Sequence, residues 1–264
     1  MSFLLSLVLL MGLALPQHVS AFVPVVPIKS FIRFVPDLNR LLSLAPVPSD
    51  IQRWSEISQN AGGTRVVREE LARRALPQAV IDDTFLRILV QQNRIDSAEA
   101  SALYQRLHGV PGFGSALSKS MGASPANTLG HLTEVRMAHQ AAEKGFTVRG
   151  IGVRFSDPNK KADTDIDVIL EKGGHEFAIE AKAYPADAIL PLDVFRADML
   201  TLKVYKESNP NRKVSTVFWM THKPDREGDL KLIQSAADHY GVELITALPE
   251  IGIHEIDALS RVLR

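Results

Sequence analysis

Residues 163–184 read DTDIDVILEKGGHEFAIEAKAY, which puts acids at the head of one apolar run and Glu-x-Lys inside the next. Alternate side chains of a strand share a face. Asp165 and Asp167 are therefore expected to project together, opposite Ile166 and Val168, and Glu180 with Lys182, opposite Ile179 and Ala181. The link EKGGH carries Gly173-Gly174, a dipeptide suited to a tight hairpin, so the two strands should pair as neighbours. Asp167 and Glu180 then converge on one face. Isolated carboxylates are costly to bury, and two of them beside a lysine point to a metal ion as the missing charge. Asp167, directly before the run VIL, is the favoured ligand; Asp165 stands behind it, and Asp163 is the weakest candidate. The plainer alternative is an exposed hairpin with a charged outer face, as amphipathic strands often show. An acid-x-Lys triplet has no weight alone, since Asp229-Leu230-Lys231 repeats it on a predicted helix.

The surrounding elements must hold that hairpin in place. From Thr64 to about Met121, apolar residues recur at three and four in TRVVREELARRAL and DDTFLRILVQQ, and DSAEASALYQRLHG opens on an Asp N-cap. This predicts a small all-helical unit over 63–122. HLTEVRMAHQAAEKG is a further helix. Then FTVRGIGVRF, TDIDVIL and EFAIEAKAY read as strands, DVFRADMLTLKVYKE as a helix and VSTVFWMTH as a strand. EGDLKLIQSAADHYG is a helix and VELITA a last strand. The expected fold class is α/β, a mixed sheet flanked by helices and preceded by the helical unit.

Strand-Asp, hairpin and apolar-Glu-x-Lys, preceded by a helix carrying Glu134, resemble the PD-(D/E)xK nuclease superfamily with its restriction-endonuclease-like fold, over residues 127–264. The resemblance implies Mg²⁺ (or Mn²⁺) held by Asp167 and Glu180, with Glu134 as the helix glutamate and the Ala181 carbonyl completing the shell. Lys182 would orient the attacking water or stabilise charge on the phosphate. Hard oxygen ligands and a divalent ion are what phosphodiester hydrolysis needs. The helix after the lysine lacks the Gln-x-x-x-Tyr pattern of one superfamily branch; Arg196, Lys203 and Lys206 offer phosphate contacts there, or form a solvated face. DNA is the first expected substrate and RNA, tRNA included, the second. The layout also resembles that of bacterial toxin nucleases, which implies an immunity protein as partner. The rival expectation is a non-catalytic exported or membrane-associated interaction module with a structural acidic cluster.

Residues 107–122, LHGVPGFGSALSKSMG, resemble a helix-hairpin-helix element. That resemblance implies a DNA phosphate on the amides around Gly112-Phe113-Gly114, with Lys119 adding charge; the alternative is a turn punctuated by Gly and Pro. Lys160 and Lys161, before the acidic strand, either approach the substrate backbone or form a soluble turn. His131 and Glu134 share a helix face, but His131, His139, His222 and His239 have no zinc spacing. No phosphate-binding loop ending in Gly-Lys-Ser/Thr and no Gly-x-Ser-x-Gly elbow is present.

Composition narrows the classes further. With 264 residues, 45% hydrophobic and 23% charged, the chain is ordinary globular material. Thirty basic residues balance thirty acidic ones, so any nucleic-acid contact rests on local patches. The lack of cysteine excludes disulfides, thiolate-zinc sites and cysteine nucleophiles. At the start, FLLSLVLLMGLALP followed by HVSA reads over residues 1–21 as an export signal without a positive flank, or as a membrane anchor or buried helix. Membrane contact, if made, is expected through this segment alone. Prolines repeat through 22–62, which reads as a linker with a short helix around 36–44.

Overall fold

The computed structural model describes residues 46–122, 124–157 and 164–246. The signal or anchor segment, the helix around 36–44, Lys160, Lys161 and Asp163 lie outside the described residues. Among the described residues six helices come first: α1 (Pro48–Ser58), α2 (Gly63–Arg73), α3 (Gln78–Gln91), α4 (Ser97–Leu107), α5 (Phe113–Ser120) and α6 (Pro125–Glu143). Strands β1 (Thr147–Phe155), β2 (Thr164–Lys172) and β3 (His175–Lys182) follow, then α7 (Leu192–Glu207), β4 (Lys213–Met220), α8 (Glu227–Tyr240) and β5 (Glu243–Thr246). The α/β class with a mixed sheet agrees with the sequence pattern. Among the described residues no helix is long and apolar enough to cross a membrane.

Helix α1 falls inside the stretch expected to be a proline-rich linker. Proline breaks helices in their interior, but Pro48 stands in the first turn, where its missing N–H is no loss. Ile51 and Trp54 then carry the helix into the core. The Asp96 side chain accepts from the Glu99 amide at 2.7 Å and starts α4 as the sequence predicts.

The sheet runs in the order β1-β2-β3-β4-β5. The first three strands form an antiparallel meander, whereas β4 and β5 join in parallel after helical crossovers. Gly173 and Gly174 both have positive φ, 60° and 75°, and connect the Lys172–His175 pair. Two left-handed residues in a two-residue loop match the right-handed twist of the strands, which fixes the β2–β3 register.

Two apolar cores flank the sheet. One joins α1 to α6 with Ile151, Val168, Leu170, Phe177, Ile179, Val217, Trp219 and Ile245. The other joins α7 and α8 with Ile166, Ile169, Ala178, Phe218 and Met220. The helical residues 63–121 thus share one continuous core with the sheet.

Asp82 and Asp83 are buried in α3, where Asp83 pairs with Arg87 at 2.6 Å. Burial raises the Asp82 carboxyl above its ordinary range, although Gln78, donating at 2.7 Å, and the His108 charge pull it down. A carboxyl raised on folding contributes stability below its unfolded pKa, about 3.9, and loses it as pH rises through the folded value. Asp82→Asn should therefore match the parent in strong acid and become the more stable protein toward neutrality. Urea unfolding across that range measures the crossover.

Candidate active site

Pairing between β2 and β3 runs from the hairpin to Val168↔Ile179 and then stops. Beyond that level β2 stays with β1, through Val153↔Ile166 and Arg154↔Asp165, while β3 stays with β4 as far as Lys182↔Met220. The strands splay, and Asp167 and Glu180 stand at the point where they part. The Asp167 carboxylate takes over the ladder there: its Oδ2 accepts from the Ala181 amide at 2.8 Å.

Strict alternation along β2 fails at this point. Ile166 and Val168, expected on one face, belong to the two different cores. The switch sits beside Gly152 in β1, whose φ of +59° turns that strand between Ile151 and Val153. Asp167 is thereby aimed into the gap between the strands instead of squarely at either face.

Glu180 and Lys182 share a face of β3, as expected, and it is the face toward α7. Lys182 Nζ lies 2.6 Å from Glu180 Oε1 and 2.8 Å from Asp198 Oδ2. The Phe218 ring centroid is 5.9 Å from the same ammonium. Glu180 is 8% exposed, and its burial pushes the carboxyl up to about 7; Lys182 opposes this shift and Asp198 adds to it. Burial also pushes Asp167 well above the usual carboxylate range, reinforced by Glu180 and Glu134 and opposed by Lys182 and the Ala181 amide. Burial alone would lower the Lys182 ammonium, but Glu180, Asp198 and Asp167 outweigh it and leave it raised. These shifts have one source: more negative charge has been desolvated here than one lysine balances.

Glu134, on α6, is also buried and bears on Asp167 from the helical side. His131, one turn earlier, lies 2.8 Å from its Oε1 through Nδ1. The shared helix face noted in the sequence is thus an acid-orienting contact. Asp165 is more exposed; its Oδ2 lies 3.3 Å from Lys119 Nζ of α5, and its charge bears on Glu180. Lys119 therefore meets the edge of the acidic cluster, a contact the sequence does not reveal.

Asp198 is the functional candidate that the pattern search passes over. Its signal is an acid on the buried stripe of α7, between Phe195 and Met199 with Leu202 beyond. The three cationic candidates of that helix do not gather at the site. Arg196 is exposed and pairs with Asp193 at 3.3 Å, and Lys203 lies 3.8 Å from Glu207. Lys206 bears on His175 at the hairpin end of β3, five residues and roughly 17 Å from Glu180 at about 3.3 Å per residue.

Gly112 and Gly114 have packing roles. A Cβ on Gly112, at φ +84°, would fall on the Ile151 carbonyl, and one on Gly114 would strike Asp82 and Gln78. The Ile151 amide donates to the Pro111 carbonyl at 2.9 Å, which docks the turn on β1.

Among the described residues, no group of three or more His, Asp or Glu side chains stands arranged to hold a metal ion. Mg²⁺ does not require one, since it keeps several waters and commonly takes one or two carboxylates. No protein-family model matches the chain, and no curated protein matches it significantly.

Proposed function

We propose that the chain is a metal-dependent nuclease of the PD-(D/E)xK type, hydrolysing phosphodiester bonds in DNA or, second, RNA. The observation that carries this reading is the splayed strand pair: half-buried Asp167 and buried Glu180 flank the gap, short of positive charge, with Lys182 beside them. The order α6, antiparallel β1–β3, α7 and parallel β4 is compatible with a restriction-endonuclease-like core. Glu180 and Lys182 also lie at the carboxyl end of β3, beside its parallel neighbour, where open α/β sheets tend to place ligands.

The donor set fits a hard divalent cation. Asp167 and Glu180, with the Ala181 carbonyl and Glu134 nearby, would hold Mg²⁺ or Mn²⁺, which supplies Lewis acidity toward phosphate oxygen and a more acidic bound water. Lys182 has a narrower role than the sequence left open. Surrounded by Glu180, Asp198 and Asp167, it stays an ammonium at neutral pH, so it donates to a phosphate oxygen and does not serve as the base. Glu134, oriented by His131, adds negative charge behind Asp167. Lys119, which pairs with Asp165 at 3.3 Å, would meet the nucleic-acid backbone at the rim.

Purified full chain incubated with plasmid and with total tRNA tests the proposal. Cleavage in Mg²⁺ or Mn²⁺, abolished by EDTA and absent from Glu180→Gln protein, is the expected result. Metal-independent cleavage, cleavage that survives the substitution, or none of either polymer would leave the interaction module as the better reading.

A further inference from the structure

We propose that Asp198 is a positioning residue, which holds the Lys182 ammonium beside the strand opening and keeps one oxygen of Glu180 free to face it. This inference rests on the nuclease reading and goes beyond it, since nothing in the strand–hairpin–strand pattern includes α7. A lysine has four rotatable bonds, and a single acceptor would not fix its tip. Here two carboxylates from different elements do so: Glu180 Oε1 of β3 accepts at 2.6 Å, and Asp198 Oδ2 of α7 forms an ion pair at 2.8 Å. Asp198 is itself well anchored. Its neighbours Phe195 and Met199 are fully buried, and Phe195 packs on Phe218, with ring centroids 5.1 Å apart. Phe218 in turn underlies the ammonium. Helix, ring and lysine therefore form one fixed unit.

The division of oxygens matters. Lys182 meets Glu180 through Oε1, and the pull from Asp198 on the α7 side opposes collapse of the ammonium across both oxygens of Glu180. Without Asp198, the acids left against the ammonium are Glu180 and Asp167, the two needed at the gap. The lysine would then neutralise Glu180 and leave the position from which it meets phosphate.

Two readouts on the full chain separate a positioning role from a structural one. Limited acetylation with acetic anhydride, followed by peptide mass spectrometry, reports how firmly Lys182 is held, with Lys203 and Lys206 as internal standards. Lys182 should be among the slowest lysines in the parent, several-fold faster in Asp198→Asn, close to parental in Asp198→Glu, and unchanged in Asp193→Asn. Nicking kcat should fall about 10–100-fold in Asp198→Asn, the scale seen when a supporting contact to a metal site is removed, with KM for the nucleic acid unchanged and kcat partly restored in Asp198→Glu. Parental labelling of Lys182 in Asp198→Asn overturns the proposal, whether or not kcat falls. So does faster labelling accompanied by parental kcat. If the parent cuts neither polymer, the nuclease reading and the catalytic role of Asp198 fall together, and the labelling still decides whether Asp198 holds Lys182.

Discussion

Replacing Glu180 by glutamine should lower Mg²⁺-dependent cleavage by roughly 10²–10³-fold, the scale seen when one preorganised charge-stabilising group at a reacting centre is lost. Glutamine keeps the volume and one acceptor oxygen, so Lys182 retains a partner and the fold survives. What disappears is one negative charge at the gap between β2 and β3. Lys182→Ala should produce a loss of similar size, and Lys182→Arg should not rescue it, because a planar guanidinium cannot sit in the compact space between Glu180 and Asp198. Steady-state nicking of supercoiled plasmid, with circular dichroism to confirm folding, measures all three.

The same residue makes a pH prediction whose sign is fixed by the direction of its shift. Glu180 is raised to about 7 and Asp167 is raised well above its ordinary range, with burial the largest cause in each. A group raised on folding contributes its stability in full below its unfolded pKa, about 4.3 for glutamate, and loses it as pH rises through the folded value. In EDTA, the melting temperature should therefore decline from acid toward pH 7 and slightly beyond. Mg²⁺ should raise it most on the alkaline side, because a cation competes with the protons held there. At subsaturating Mg²⁺, cleavage should rise over the same interval. A melting temperature that climbs with pH in EDTA would mean that these carboxylates are already compensated.

Gly112→Ala should destabilise the protein by about 2–4 kcal/mol, combining a left-handed backbone with overpacking. The methyl group has nowhere to go: at φ +84° it points into the Ile151 carbonyl of β1, a backbone atom that the sheet holds in place. Because the turn also accepts the Ile151 amide through Pro111, the damage should spread to β1 and its pairing with β2. Urea unfolding gives the magnitude. If Gly112 served a phosphate contact alone, as the helix-hairpin-helix resemblance implies, stability would be unchanged and only nucleic-acid affinity would fall.

The hairpin and its acids were legible because their physics is local. Period-two alternation and a Gly-Gly turn decide which residues of β2 and β3 meet, and both lie within twenty residues of sequence. Alternation misleads only at Asp167, where the neighbouring strand twists at Gly152 and moves Ile166 and Val168 into different cores; periodicity along one strand assumes that the strand stays straight. Asp198 depends on a crossover that brings α7 over the carboxyl end of β3, which no local pattern encodes. Its one trace is an acid on an otherwise apolar helix stripe. Lys206 was expected near substrate because it shares that helix, yet α7 runs away from the site toward the hairpin end. Helix α1 was hidden by the prolines around it, although Pro48 occupies the turn of a helix that tolerates proline best.

The most direct measurement is a Mn²⁺ titration of the full chain followed by electron paramagnetic resonance. One Mn²⁺ per chain, lost in both Asp167→Asn and Glu180→Gln but retained in Asp193→Asn, is the result expected if the parted strands cradle a cation. Binding that persists in both variants, or is missing from the parent, would contradict it.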